Sequence, residues 1–170
     1  MHAVPLEKRI NVSPGRKNKK YKEILILGVG NILHRDDGVG VHVVHTLRKR
    51  SSIVPIVDII DGGTAGFDLL SIMTGRKRII IIDALKADDV PGSIYRLPAY
   101  SIKDSGSMMS LHEAGVKNII DMLHFIGEYP EIEIVGIVAE DISSVEIGMS
   151  ERVEKAVPRV IEEIIKIISE

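Results

Sequence analysis

The chain has 170 residues with a net charge of −2 and no cysteine. That length supports one core without staples, and the missing cysteines exclude a disulfide scaffold, a thiol nucleophile and any thiolate metal site. The near-neutral balance argues against a nucleic-acid partner or an acidic membrane surface. Apolar runs such as Ile79–Ile82 fall far short of the roughly 20 residues that cross a bilayer, so no membrane insertion is expected.

Residues 1–20 are basic and unpatterned, with Pro5, Pro14 and Gly15 interrupting any regular element. They are expected to form a mobile extension to a single domain over residues 21–170. No secretory leader is recognisable in them, and a cytoplasmic location is expected. The domain opens with Glu23–Val29, a continuous apolar run expected of a strand buried on both faces. A loop follows, then a helix over Asp37–Arg48 with Val39, Val43, Val44 and Leu47 on its buried side. A second strand is expected over Pro55–Ile60, and a helix over Ala65–Met73 with Thr64 as its N-cap. Lys77–Asp83 reads as the third strand, and Ser93–Leu97 as a shorter inserted one. Ser110–Phe125 reads as a helix with Val116, Ile119, Ile120 and Leu123 as its core stripe. Ser110 and Glu113 have the spacing of a capping box, which would put His112 in the first turn. Glu131–Val138 is the last strand. Ser150–Ile168 closes the chain as an amphipathic helix, which Pro158 is expected to kink.

Strands alternating with helices predict an α/β fold, a mostly parallel sheet covered on both faces. Function in such sheets collects beyond the carboxyl ends of the strands. This chain puts Asp36 and Asp37 there after the first strand, Asp61 after the second, Asp83 after the third, and Glu140 and Asp141 after the last. His112 precedes that last strand. Carboxylates with an imidazole suit a divalent cation rather than a phosphate. Each also has a plain structural reading: helix caps for Asp36 and Asp37, turn chemistry for Asp61, solvated loop charges for Glu140 and Asp141. Asp83 resists such a reading, because a carboxylate ending four isoleucines must be compensated for its desolvation. His42 and His45 turn away from the buried side of their helix and read as surface or interface groups. His34 is kept as a substrate contact, and His124 as an ordinary surface residue. Gly28-Val29-Gly30 begins like a dinucleotide fingerprint, but Leu33 replaces its third glycine, and Asp36 and Asp37 stand where a pyrophosphate would need positive potential. No Gly-x-Ser-x-Gly elbow occurs.

The segments Gly28–Leu33 with Asp36-Asp37-Gly38-Val39-Gly40, then Asp61-Gly62-Gly63-Thr64-Ala65-Gly66, Ile82-Asp83-Ala84 and Leu111-His112-Glu113-Ala114-Gly115 resemble, in order, the motifs of the hydrogenase maturation endopeptidases. The resemblance spans about residues 22–168. It implies a three-layer α/β/α fold on a five-stranded mixed sheet with one antiparallel strand. It also implies an endopeptidase that removes the C-terminal extension of a nickel–iron hydrogenase large-subunit precursor after nickel insertion. The family's metal-contacting acid, aspartate and histidine fall on Asp37, Asp83 and His112, the first position being more often Glu. By the same resemblance these three are the catalytic and metal-contacting set of an acid-type (aspartyl) protease. The nickel is carried by the precursor, and the enzyme itself binds divalent metal only weakly. Gly62, Gly63, Thr64, Ala65 and Gly66 would line the path of the substrate tail. The alternatives are a non-catalytic nickel chaperone using the same cluster, and a nucleotide-binding module on a Rossmann-like sheet.

Because residues 1–20 carry no apolar period, deleting them is expected to leave the melting temperature within a few degrees of the intact chain. A loss of roughly 10 °C, several kcal/mol at this size, would show that they pack.

Overall fold

The computed structural model describes residues 21–50, 55–99, 109–110 and 113–170, and the expected extension at residues 1–20 lies outside these. The strands are β1 (Ile24–Val29), β2 (Val57–Gly63), β3 (Arg78–Lys86), β4 (Ile94–Pro98), β5 (Met109–Ser110) and β6 (Glu131–Val138). The helices are α1 (Val39–Leu47), α2 (Asp68–Met73), α3 (Glu113–Phe125) and α4 (Glu151–Ser169), with a 3-10 turn at Arg35–Gly38 leading into α1. Five strands run in the order β2-β1-β3-β6-β4, and the two-residue β5 joins β3 off that path. β1, β2, β3 and β6 are parallel, whereas β4 runs antiparallel to β6, as expected of the inserted strand.

The apolar runs of β1 and β3 are buried on both faces because helices cover both. On one face Ile26, Ile80, Ile82, Val135 and Ile137 pack with the buried sides of α1 and α4. On the other, Leu25, Leu27, Ile79, Ile81, Ile132 and Ile134 pack with α2 and α3. The α3 stripe of Val116, Ile119, Ile120 and Leu123 is buried as its periodicity requires. In α4, Val153, Val157, Val160, Ile161 and Ile164 are buried, with Ile167 rather than Ile168 completing the face. The helix runs on through Pro158, which lies on its exposed side.

One helix start differs from expectation. Residues 62–69 form successive turns (Ala65 N–H to Gly62 O, 3.0 Å; Asp68 N–H to Ala65 O, 3.2 Å; Leu69 N–H to Gly66 O, 3.1 Å), with Gly63 and Gly66 at positive φ. α2 therefore begins only at Asp68, and Thr64 does not cap it. The Ser110 backbone pairs with Leu85 in the sheet, and α3 is described from Glu113 onward. The side chains of the expected capping box, and His112 with them, lie outside the described residues.

At the amino-terminal edge of the sheet, Glu133 sits among apolar neighbours in β6 and is almost fully buried. It accepts hydrogen bonds from Arg78 (2.6 Å) and Arg96, while Arg78 also donates to Ile167 O (2.6 Å) and Arg96 reaches Glu170 (2.5 Å). This network ties β3, β4 and β6 to the end of α4. The Arg96 hydrogen bond, helped by Arg78 and opposed by burial, holds the Glu133 carboxyl below the usual range. A carboxylate depressed in the folded state stabilises above its unfolded value of about 4.3, and that stabilisation fades as pH falls through the folded value. Glu133→Gln is therefore expected to cost about 3 kcal/mol at pH 7, roughly 10 °C in melting temperature. The gap between the two proteins should stay level above about pH 5 and narrow below about pH 4. A gap independent of pH would refute the ionic reading.

Candidate functional site

β1 pairs with β3 only as far as Gly28 opposite Ile82, and then diverges. β6 follows the other side of β3 through Leu85, so β5, which pairs at Leu85 and Lys86, takes the side that β1 leaves. Asp83 lies in the opening between those two partners, the place where open α/β sheets bind ligands. It continues the Ile79–Ile81 face, which is the face covered by α2 and α3. Its side chain is buried, and Oδ1 accepts the Ala84 N–H at 2.8 Å.

Asp37 lies in the 3-10 turn, which packs against β3. The approach is set by glycine. A Cβ on Gly40 would stand 2.2 Å from Ile82 O and 2.5 Å from Val29 O, and one on Gly28 would stand 2.2 Å from Gly40 O. Gly30, at φ 129°, leaves room for the Asp37 carbonyl, which a Cβ would strike at 1.9 Å. These glycines seat α1 on the sheet rather than cradling a phosphate. Asp37 Oδ2 accepts the Asn31 N–H at 2.9 Å, which aims its buried carboxylate back toward the end of β1.

Asp36, the neighbouring acid, has a different task. It is fully buried, and its carboxylate accepts the N–H groups of Glu140 (2.9 Å), Asp141 (3.0 Å) and Ser150 (2.6 Å) and the Ser150 hydroxyl (2.8 Å). Its own N–H donates to Asp141 O at 3.0 Å. The turn that holds Asp37 is thereby fastened to the end of β6 and the start of α4. Asp141 is not the solvated loop charge that its position suggests. It accepts from the backbones of Ser143 and Ser144 and from the Ser144 hydroxyl (2.5 Å), and pairs with Arg35 at 3.4 Å. Those bonds, the Ser144 hydroxyl first, hold its carboxyl well below the usual range. The Asp-x-Ser-Ser pattern is a recognisable turn signal that sequence reading passed over.

The glycine motif borders a groove. Gly63 O accepts the Gly30 N–H at 3.0 Å, joining it to the β1 loop. A groove of about 270 Å³ is lined by Gly63–Gly66, Val29 and Leu69 on one side and by Gly115, Val116 and Ile119 of α3 on the other. It lies on the Asp83 face of the sheet. A larger cavity of about 780 Å³ opens at the opposite edge, where β6 begins, but its Glu133 carboxylate is taken up by Arg78 and Arg96.

His112 lies outside the described residues. Among the described residues no three potential ligands stand close enough to hold an ion by themselves. His45 pairs with Asp61 at 2.7 Å, so Asp61 does more than turn the chain. His45 is exposed as expected, whereas His42 is half-buried, with its Nε2 enclosed and unpartnered among the described residues. Burial lowers the His42 pKa, the nearby His45 adds to this, and Glu154 opposes it. His34 bridges to Glu146, and His124 stacks on Tyr129 at the surface.

Replacing Asp36 by Ala strands the buried N–H and hydroxyl of Ser150 and the part-buried N–H groups of Glu140 and Asp141. Hydrogen bonds to a charged group contribute about 1.5–3 kcal/mol each and do not simply add, so a loss of about 4 kcal/mol is expected. That corresponds to roughly 10–15 °C. Asp37→Ala, which removes the bond from Asn31, should cost less than half as much by the same thermal melts. Equal losses would show that the two acids share one structural role.

Residues 41–167 match the family model described as HycI, hydrogenase maturation protease. The chain is 34% identical over 150 residues to the hydrogenase 2 maturation protease of Escherichia coli K12, covering 86% of this chain and 91% of that one. Its fold superposes on the hydrogenase maturating endopeptidase HybD from E. coli with a TM-score of 0.78, at 33% identity over 86% of this chain and 92% of that one. The NiFe hydrogenase maturation protease HybD from Thermococcus kodakarensis gives 0.74 at 28% identity, over 85% and 98%. The chain is thus a peptidase, and it belongs to the hydrogenase maturation protease family.

Proposed function

We propose that this enzyme removes the C-terminal extension of a nickel–iron hydrogenase large-subunit precursor, and that it recognises nickel already carried by that substrate. The observation that supports the reading is Asp83 at the point where β1 leaves β3, with a glycine-lined groove on the same face of the sheet. An extended peptide fits such a groove, because glycine and alanine leave backbone groups accessible and the walls are otherwise apolar. Asp37, Asp83 and His112 are the proposed contacts to the precursor's metal. Carboxylates and an imidazole without thiolates bind nickel weakly, which suits an ion that belongs to the substrate. In hydrolysis one of the carboxylates takes a proton from the attacking water. The water oxygen bonds to the scissile carbonyl carbon, the C–N bond breaks, and the departing amine takes up a proton. This makes the enzyme an aspartyl-type peptidase in the broad sense. Among the described residues no helix is long and apolar enough to cross a membrane. The absence of cysteine suits a reducing compartment, and the cytoplasm is where we propose the reaction occurs.

Metal-free enzyme is expected to cleave nickel-loaded precursor, and to leave nickel-free precursor intact even in excess, as read by intact mass of the large subunit. Asp83→Asn and His112→Ala should each lower processing by at least about 100-fold while remaining folded. Tight nickel binding without any cleavage would favour a chaperone. Efficient cleavage of the nickel-free form would overturn the metal handle and leave recognition to the tail.

A further inference from the structure

We infer that Ile32, Leu33, Val145 and Ile147 form the surface on which the folded body of the protein substrate docks, separate from the groove that takes its tail. This rests on the endopeptidase reading above. The four side chains are 42%, 51%, 81% and 74% exposed, an unusual outlay of large aliphatic surface on two adjoining loops. The loops are joined like strands of a short parallel ladder. Glu146 N–H donates to Leu33 O at 3.0 Å, and Arg35 N–H donates to Glu146 O at 2.9 Å. Val145 and Ile147 flank Glu146, so local alternation turns both away from the side on which Glu146 meets Arg35 at 3.3 Å.

The platform is also held from below. Asp141 fixes the turn through Ser143 and Ser144, and Asp36 fastens both ends of the 140–150 loop through Glu140, Asp141 and Ser150. Exposed aliphatic groups on a loop built this firmly lose little entropy on binding, which is what a recognition surface needs. The surface is continuous with the candidate site, because Ile32 rests on Gly38, the residue after Asp37. A Cβ on Gly38 would meet the Ile32 Cα at 2.7 Å. The patch adjoins the turn that carries Asp37, and on the endopeptidase reading a substrate that meets Asp37 lays folded surface against it. The nearby charges are Arg35 with its two acids Asp141 and Glu146, which leave one negative charge beside four aliphatic side chains, so the partner patch is mainly apolar.

The test is steady-state processing of nickel-loaded precursor by the Leu33→Ser/Val145→Ser/Ile147→Ser variant, with Val145→Ser alone as a milder form. The triple variant should raise KM at least 10-fold with kcat within about twofold, and Val145→Ser should raise KM about threefold, each with an unchanged melting temperature. Unchanged KM in both variants, with active wild type, would overturn the docking surface and leave the endopeptidase reading intact. Wild-type enzyme that fails to process the precursor would overturn the parent reading and the docking assignment together. Sedimentation of the enzyme alone supplies the remaining outcome: a wild-type dimer that the triple variant dissolves would assign the patch to self-association instead.

Discussion

Helix α1 lies nearer to the sheet than side chains normally permit, and the site depends on that approach. Gly40 stands over the carbonyls that end β1 and the isoleucine run of β3, and Gly28 stands under Gly40. Any Cβ at these places would push α1 outward by more than an ångström, and with it the 3-10 turn that carries Asp37. The packing density of protein interiors leaves no slack to absorb such a shift. Glycine here is chosen for contact distance, since neither Gly28 nor Gly40 has a positive φ. A loop that begins like a dinucleotide fingerprint is thus used to lower a carboxylate onto the sheet edge. Its two acids would repel a phosphate arriving at the same place.

The second constraint is electrostatic, and it acts differently at the two ends of the sheet. At the amino-terminal edge, buried Glu133 is matched by two arginines, and the network closes the last turn of α4 against β3 and β4. At the carboxyl edge, the partners of Asp36 among the described residues are backbone and hydroxyl donors, with no cation among them. Neutral donors can satisfy a buried carboxylate as fully as an arginine does, provided that enough of them converge.

Much of this was legible in the residues because burial imposes period. The β6 segment Glu131–Val138 has the bounds its apolar run suggests, and the α3 and α4 stripes fall on their faces with one residue exchanged. The desolvation argument anticipated the burial of Asp83, but the strand expected to end there runs on to Lys86. What failed were readings that depended on which partner a backbone finds. Thr64 precedes a helical pattern, but Gly63 and Gly66 turn the chain first and delay the helix to Asp68. Local chemistry offers both outcomes at such points, and tertiary pairing decides. The roles of Asp36 and Asp37 were open for the same reason. Adjacent acids look alike in sequence and differ in what comes to meet them: three amides and a hydroxyl from residues 140–150 meet Asp36, whereas the Asn31 amide is among the groups that meet Asp37.

That division of labour explains why two carboxylates stand side by side. Asp36 spends its hydrogen-bonding capacity on the loop after β6 and the start of α4, which is the loop that carries Val145 and Ile147 into solvent. Asp37, one residue on, lies in the 3-10 turn that packs against β3. One short segment therefore ties the exposed aliphatic surface to the acid proposed for the site. A ruler of this kind suits the proposed cleavage at one bond near the end of a folded protein. On that reading, grip on the body and reach to the tail are set by the same backbone, so a shift in one is transmitted to the other. The groove beside Gly63–Gly66 is walled by the apolar side chains of Val29, Leu69, Val116 and Ile119. Selectivity for the bond would then come from distance to the docked body together with the fit of the tail against those walls.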